Sequence, residues 1–157
     1  MKHLLVATDF SDMAAAALRQ AIHLAEMSGA KITLLHVVHA DKVNETLLGL
    51  DAMEYRMRSA DAEWTYHFGD GLQRLRDASR EALQETIAAL PEPRPTIEPV
   101  VIDGRPSQEI VNYANANHVD LIVVGTHGRG ALGKAFLGSV ADNLIRQADC
   151  PVMVVRK

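Results

Sequence analysis

Gly125-Thr126-His127-Gly128, followed after nine intervening residues by Gly138-Ser139, is the stretch whose residue types and spacing could do chemistry. It follows the apolar run Leu121-Ile122-Val123-Val124. It leads into Val140-Ala141-x-x-Leu144-Ile145-x-x-Ala148, an apolar repeat with helical spacing. A buried strand thus empties into a glycine-punctuated loop, and the loop into a helix N-terminus. Glycine lets a backbone approach a ligand closely and reach φ > 0. The first N–H groups of a helix have no intrahelical partner, and the helix dipole favours negative charge there. The chemistry implied is the binding of an anion, most often phosphate, and hence of a nucleotide. A single Gly-x-x-Gly is common in turns. The later Gly-Ser and the preceding strand give this one its weight.

Other readings of the same residues are weaker. Gly128-x4-Gly133-Lys134 resembles a Walker A loop, but Ala135 stands where that motif needs a Ser or Thr to hold Mg²⁺. No later apolar strand ends in an acidic metal ligand, and Gly-x-Gly-x-x-Gly is missing, which argues against a P-loop NTPase and against NAD binding. Arg129 and Lys134 could screen phosphate charge or simply be solvated. A lone loop histidine, His127, is weak ground for catalysis or metal binding. His36 alternates within a buried strand and reads as a satisfied core histidine. His3, His23, His39, His67 and His118 lack metal-ligand spacing. Cys150 before Pro151 reads as a small buried residue, since nothing nearby would activate its thiol. Trp64, Tyr55 and Tyr66 could pack over the site or at a dimer surface. No catalytic base or nucleophile accompanies the glycines, so the reading leans away from an enzyme.

These residues need a scaffold, and the chain spells one out. Leu4-Leu5-Val6-Ala7 is a continuous apolar run ending in Thr8-Asp9, the pattern of a strand buried on both faces. Ser11 can cap a helix carrying Ala14, Leu18, Ala21, Ile22 and Ala25, with Gly29 as its stop. Residues 31 to 38 form a second strand. Residues 40 to 70 predict helix with an irregular insertion, broken at Gly69-Asp70-Gly71. A clear stripe follows at Leu72, Leu75, Ala78, Ala82, Leu83, Ile87 and Leu90, ended by Pro91, Pro93 and Pro95. Ile97 to Ile102 is a third strand, and Pro99 suggests an edge or a bulge. Pro106 opens a helix with Ile110, Val111 and Ala114. Asp120 to Val124 and Cys150 to Val155 are the remaining strands. Alternating strands and helices imply a parallel sheet covered on both faces, and the strand order expected for it is 3-2-1-4-5. That order places the ends of the first and fourth strands at a switch point, where such folds bind ligands.

Bulk properties are consistent with this. With 157 residues the chain is expected to form one domain, 1–157, with 40–70 as a variable insertion. Hydrophobic residues at 48% and charged residues at 23% are ordinary for a globular protein. A net charge of -4 without a dense basic cluster argues against nucleic acid as a partner. The single cysteine excludes an internal disulfide and fits a reducing compartment. The opening apolar run is too short for a signal peptide or a membrane span, so a cytoplasmic protein is expected.

Four segments carry a family resemblance. They are Leu4-Leu5-Val6-Ala7-Thr8-Asp9-Phe10-Ser11, Leu34-Leu35-His36-Val37, Gly125-x2-Gly128-x9-Gly138-Ser139, and the closing Ala148-Asp149-Cys150-Pro151-Val152-Met153-Val154-Val155. In this order the chain resembles a universal stress protein of the nucleotide-binding type. The resemblance spans nearly everything outside roughly residues 40 to 70. It implies a three-layer α/β/α fold, adenine nucleotide alpha hydrolase-like, and ATP as ligand, with or without Mg or Mn. By resemblance Asp9, beside Ala7 and Thr8, meets the adenosine portion, and the backbone of Val37 borders the adenine. Gly125 lines the ribose. Gly128, Gly138 and Ser139 hold the phosphates with the Val140 N–H nearby, and Thr126, His127 and Arg129 complete the loop side. The family also implies a homodimer through Val152 to Val155, which would cover an apolar sheet edge. Its role would be that of a non-enzymatic stress-response regulator with a protein partner that the sequence does not identify. A slow ATPase or nucleotide-transferring enzyme, and a sensor of AMP or another adenosine ligand, are the alternatives.

Overall fold

The computed structural model describes residues 1–39, 62–126 and 137–156, with backbone only for 62–70. The first apolar run becomes β1 (His3–Ala7), buried along its full length. α1 (Asp12–Ser28) begins at Ser11, whose Oγ accepts the Ala14 N–H at 3.2 Å. It stops at Gly29, which takes φ 69°, a left-handed value suited to glycine, and donates its N–H to Ala25 O. β2 (Lys31–Val38), α2 (Ala62–Ala88), β3 (Ile97–Asp103), α3 (Pro106–Ala116), β4 (Leu121–Gly125), α4 (Ser139–Gln147) and β5 (Val152–Val155) complete the described elements.

The strands form one parallel sheet of order β3-β2-β1-β4-β5, as the sequence predicts. Val6 sits in register with Leu34 on one side and Val123 on the other. Alternate side chains serve opposite faces. Leu4, Val6, Ile32, Leu34 and Val123 pack with Ala17, Leu18, Ala21 and Ala25 of α1 and Leu83 of α2. Leu5, Ala7, Leu35, Val37, Ile122 and Val124 pack with Ile110, Val111 and Ala114 of α3 and Ala141 and Leu144 of α4. β1 therefore leads to a helix on one face, and its neighbour β4 is followed by a helix on the other. Pro99 lies on β3, which among the described residues is an edge strand paired only with β2, where a missing N–H leaves no ladder bond unmade.

One expectation fails. Helix α2 already runs at Ala62 and passes through Gly69-Asp70-Gly71, which were expected to break it. A glycine inside a helix costs about 1 kcal/mol relative to alanine. Tertiary packing of the helix downstream, with Leu83 fully buried and Ile87 against the same cluster, outweighs that.

Candidate functional site

Three strand ends converge where β1 turns into α1. Thr8 donates its N–H to Leu35 O at 2.9 Å, which carries the ladder one residue past β1. The chain then turns sharply. The Phe10 N–H donates to Thr8 Oγ1 at 3.1 Å, and the Ser11 N–H to Asp9 Oδ1 at 3.1 Å. Phe10 adopts φ 61°, a left-handed conformation that a bulky side chain rarely takes. Asp9 is half-buried, and its carboxylate is held by Oδ1 against its own turn. Val37 lies two residues beyond Leu35, the register partner of Ala7. It therefore flanks the stretch where β1 has given way to Thr8-Asp9.

On the other side of β1, Gly125 ends β4 in register with Val155. Its lack of a side chain has a packing cause. A Cβ there would lie 2.9 Å from the C, Cβ and O atoms of Met13 in the first turn of α1. Thr126 is buried; it donates its N–H to Val155 O at 3.0 Å and accepts the Gly138 N–H on its carbonyl at 2.6 Å. This last bond ties the start of α4 to the end of β4. Gly138 is the N-cap of α4 and has φ -64°, ψ 150°, which any residue can adopt. Glycine is therefore not required here for backbone conformation. The cap, a glycine, contributes no side-chain hydrogen bond to the first turn of α4. Ser139 is exposed, and Val140 is half-buried against the α3–α4 core.

The fold thus brings Ala7, Thr8, Asp9, Val37, Gly125 and Thr126 to one rim of the sheet. The Thr126–Gly138 bond places Gly138, Ser139 and Val140 beside them. His127, Gly128, Arg129 and Lys134 lie outside the described residues, as do residues 40–61 with Tyr55, and the side chains of Trp64 and Tyr66. Among the described residues, no group of three or more His, Cys, Asp and Glu is placed to hold a metal. Also among them, no helix is long and apolar enough to cross a membrane. Burial pushes the Cys150 thiol up from its ordinary pKa, against a thiolate role.

Two histidines do more than their isolated positions suggest. His36 Nδ1 lies 2.8 Å from Thr8 O, and its ring packs against Phe10 with centroids 4.7 Å apart. A carbonyl only accepts, so Nδ1 carries the proton in that bond. His3 is buried, with Nε2 2.8 Å from Thr33 Oγ1 and Nδ1 3.2 Å from Asn117 O. The only sequence signal was a polar residue within an apolar strand for His36 and at the start of one for His3. Finding the partners needed the strand register.

Adjacent parallel strands whose following helices leave on opposite faces create a crevice at their carboxyl ends, the general ligand site of open α/β folds. The chain is of this Rossmann-like class, with a five-stranded sheet and helices on both sides. It belongs to the universal stress protein family, whose model matches residues 1–156. It is 34% identical to the universal stress protein YxiE of Bacillus subtilis over 154 residues, 98% of this chain and 97% of that one. It is 31% identical to the universal stress protein MJ0531 of Methanocaldococcus jannaschii, over 99% of this chain and 82% of that one. Among solved structures it is similar to universal stress protein UspA from Lactobacillus plantarum, with TM-score 0.70 and 26% identity, over 99% of this chain and 97% of that one. The family fold is adenine nucleotide alpha hydrolase-like, as the resemblance implied.

Proposed function

We propose that this chain binds ATP in the crevice between the carboxyl ends of β1 and β4, and acts as a non-enzymatic stress-response regulator in a homodimer. The observation that carries the reading is the start of α4. Gly138 caps the helix without a side-chain hydrogen bond, in a conformation open to any residue, beside the rim that holds Thr8 and Asp9. N–H groups at a helix start suit phosphate. Glycine at a position that does not need it for its φ is consistent with a close ligand approach.

In this reading Asp9 and Val37 take the adenosine end, Gly125 and Thr126 the ribose side, and Gly138, Ser139 and Val140 the phosphates together with His127, Gly128 and Arg129. The reading holds with or without Mg or Mn on the phosphates. Pairing of β5 with its counterpart in a second copy would cover Val152 to Val155, which are only half-buried in the single chain. In the sequence no catalytic base or nucleophile accompanies the glycines, and the reading is of a regulatory role rather than turnover.

Two more distant members of the fold set the competing ligands. A universal stress protein solved in complex with cAMP shares the architecture at TM-score 0.59 and 24% identity. One from Archaeoglobus fulgidus solved with dAMP does so at TM-score 0.55 and 18% identity. The test is calorimetry with ATP, ADP, AMP, cAMP and dAMP, beside Gly138→Val. Valine is compatible with φ -64°, ψ 150°, so the variant should fold normally and lose ATP affinity by more than tenfold. Equal ATP affinity in wild type and variant, or preference for AMP over ATP, overturns the assignment of the phosphates to α4. Sedimentation of the same samples reads the homodimer.

A further inference from the structure

We propose that His36 is a positioning residue for the nucleotide: it aims Asp9 by bracing the turn that carries it. The inference deepens the ATP reading above and rests on it. Independent contacts converge on this turn. The Phe10 backbone sits at φ 61°, a conformation a bulky residue holds only when its surroundings over-determine it. The ring of Phe10 leans on the imidazole of His36, with centroids 4.7 Å apart and planes inclined by 39°. The same imidazole donates from Nδ1 to Thr8 O at 2.8 Å, on the residue preceding Asp9. Thr8 Oγ1 in turn accepts the Phe10 N–H at 3.1 Å.

His36 therefore grips both neighbours of Asp9, one by a hydrogen bond and one by ring contact. It does so from β2, a strand anchored in the sheet on both sides. It also sits next to Val37 in sequence, so one strand end lines the adenine side and fixes the opposing carboxylate. Core packing alone asks only for an apolar side chain at this position. The Nδ1–H bond to a carbonyl adds direction.

The experiment is ATP and adenosine titration calorimetry of wild type, His36→Phe, His36→Asn, Asp9→Ala and Asp9→Ala/His36→Phe. His36→Phe keeps a ring against Phe10 and loses the donor. His36→Asn keeps a donor near the Nδ1 position and loses the ring. His36→Phe should weaken ATP and adenosine by the same factor, about three- to tenfold, the loss of one directed hydrogen bond. His36→Asn should recover part of that loss. If His36 acts through Asp9, His36→Phe costs nothing further once Asp9 is alanine. Unchanged affinity in both His36 variants, or losses that add in the double variant, overturn the positioning role while leaving the nucleotide reading intact. Absence of ATP binding by the wild-type chain overturns both. A thermal melt of each variant separates loss of binding from loss of fold.

Discussion

Gly125→Ala is a test in which structure and motif make different demands. In the proposed site this glycine lines a ribose. By geometry it admits α1: an alanine Cβ would stand 2.9 Å from the C, Cβ and O of Met13. Carbon pairs sit most favourably at about 3.5–4.0 Å, so each contact with Met13 carbon is more than about half an ångström too close. Atoms C and O belong to the backbone of the first helical turn, so no rotamer change relieves them. Either the start of α1 moves off β4 or the end of β4 bends. Overpacking of this kind costs about 1–3 kcal/mol. For a chain of this size, about 2–4 °C in Tm per kcal/mol follows, a fall of about 2–12 °C. The assay is urea unfolding and thermal melting of nucleotide-free protein. The urea midpoint should fall with an unchanged slope. Wild-type stability in Gly125→Ala without nucleotide would refute the packing account and return this glycine to the ligand alone.

The remaining expectations concern other supports of the fold. Ser11→Ala removes the acceptor for the Ala14 N–H at the start of α1 and should cost about 1 kcal/mol in urea unfolding. His3→Leu strands the buried Thr33 hydroxyl and should cost about 1–3 kcal/mol, while His3→Leu/Thr33→Val should recover much of it; additive losses would refute the pairing. Asp120 accepts the Lys2 and His3 N–H groups at 2.6 and 2.9 Å, and these bonds hold its carboxyl below the ordinary 3.8. A depressed folded pKa gives stability that is present above 3.8 and lost as pH falls through the folded value, so Asp120→Asn should flatten the acid limb of a melting-temperature profile below pH 4.

What was readable in the sequence divides along a physical line. Elements dictated by near neighbours were legible. The unbroken apolar runs gave buried strands, Ser11 and Gly29 bounded a helix, and Pro99 marked an edge. Strand–helix alternation gave the parallel sheet but not its order; 3-2-1-4-5 was the expected one of several that alternation permits, and it brings Asp9, Val37 and Gly125 to one rim. Features set by partners far along the chain were not legible. Nothing around Gly125 announces Met13, and nothing around His36 announces Thr8 and Phe10. Those pairs exist only once β1, β2 and β4 lie in parallel register. The start of α2 escaped for the opposite reason, because local propensity at Gly69-Asp70-Gly71 was outweighed by packing further along the helix.

The same division explains why one glycine motif contains glycines of different kinds. Gly125 is small because a helix presses on it, and an alanine there strains the fold with or without ligand. Gly138 has ordinary dihedral angles and begins a helix with no side-chain cap, so the backbone gives no reason for its identity. A motif read as a unit assigns both to the nucleotide. Stability measured on nucleotide-free protein separates them: it should fall for Gly125→Ala and hold for Gly138→Val. If both variants are as stable as wild type, the whole motif belongs to the ligand. If both are destabilised, the start of α4 is packed as tightly as the end of β4, and the room proposed there for phosphate does not exist.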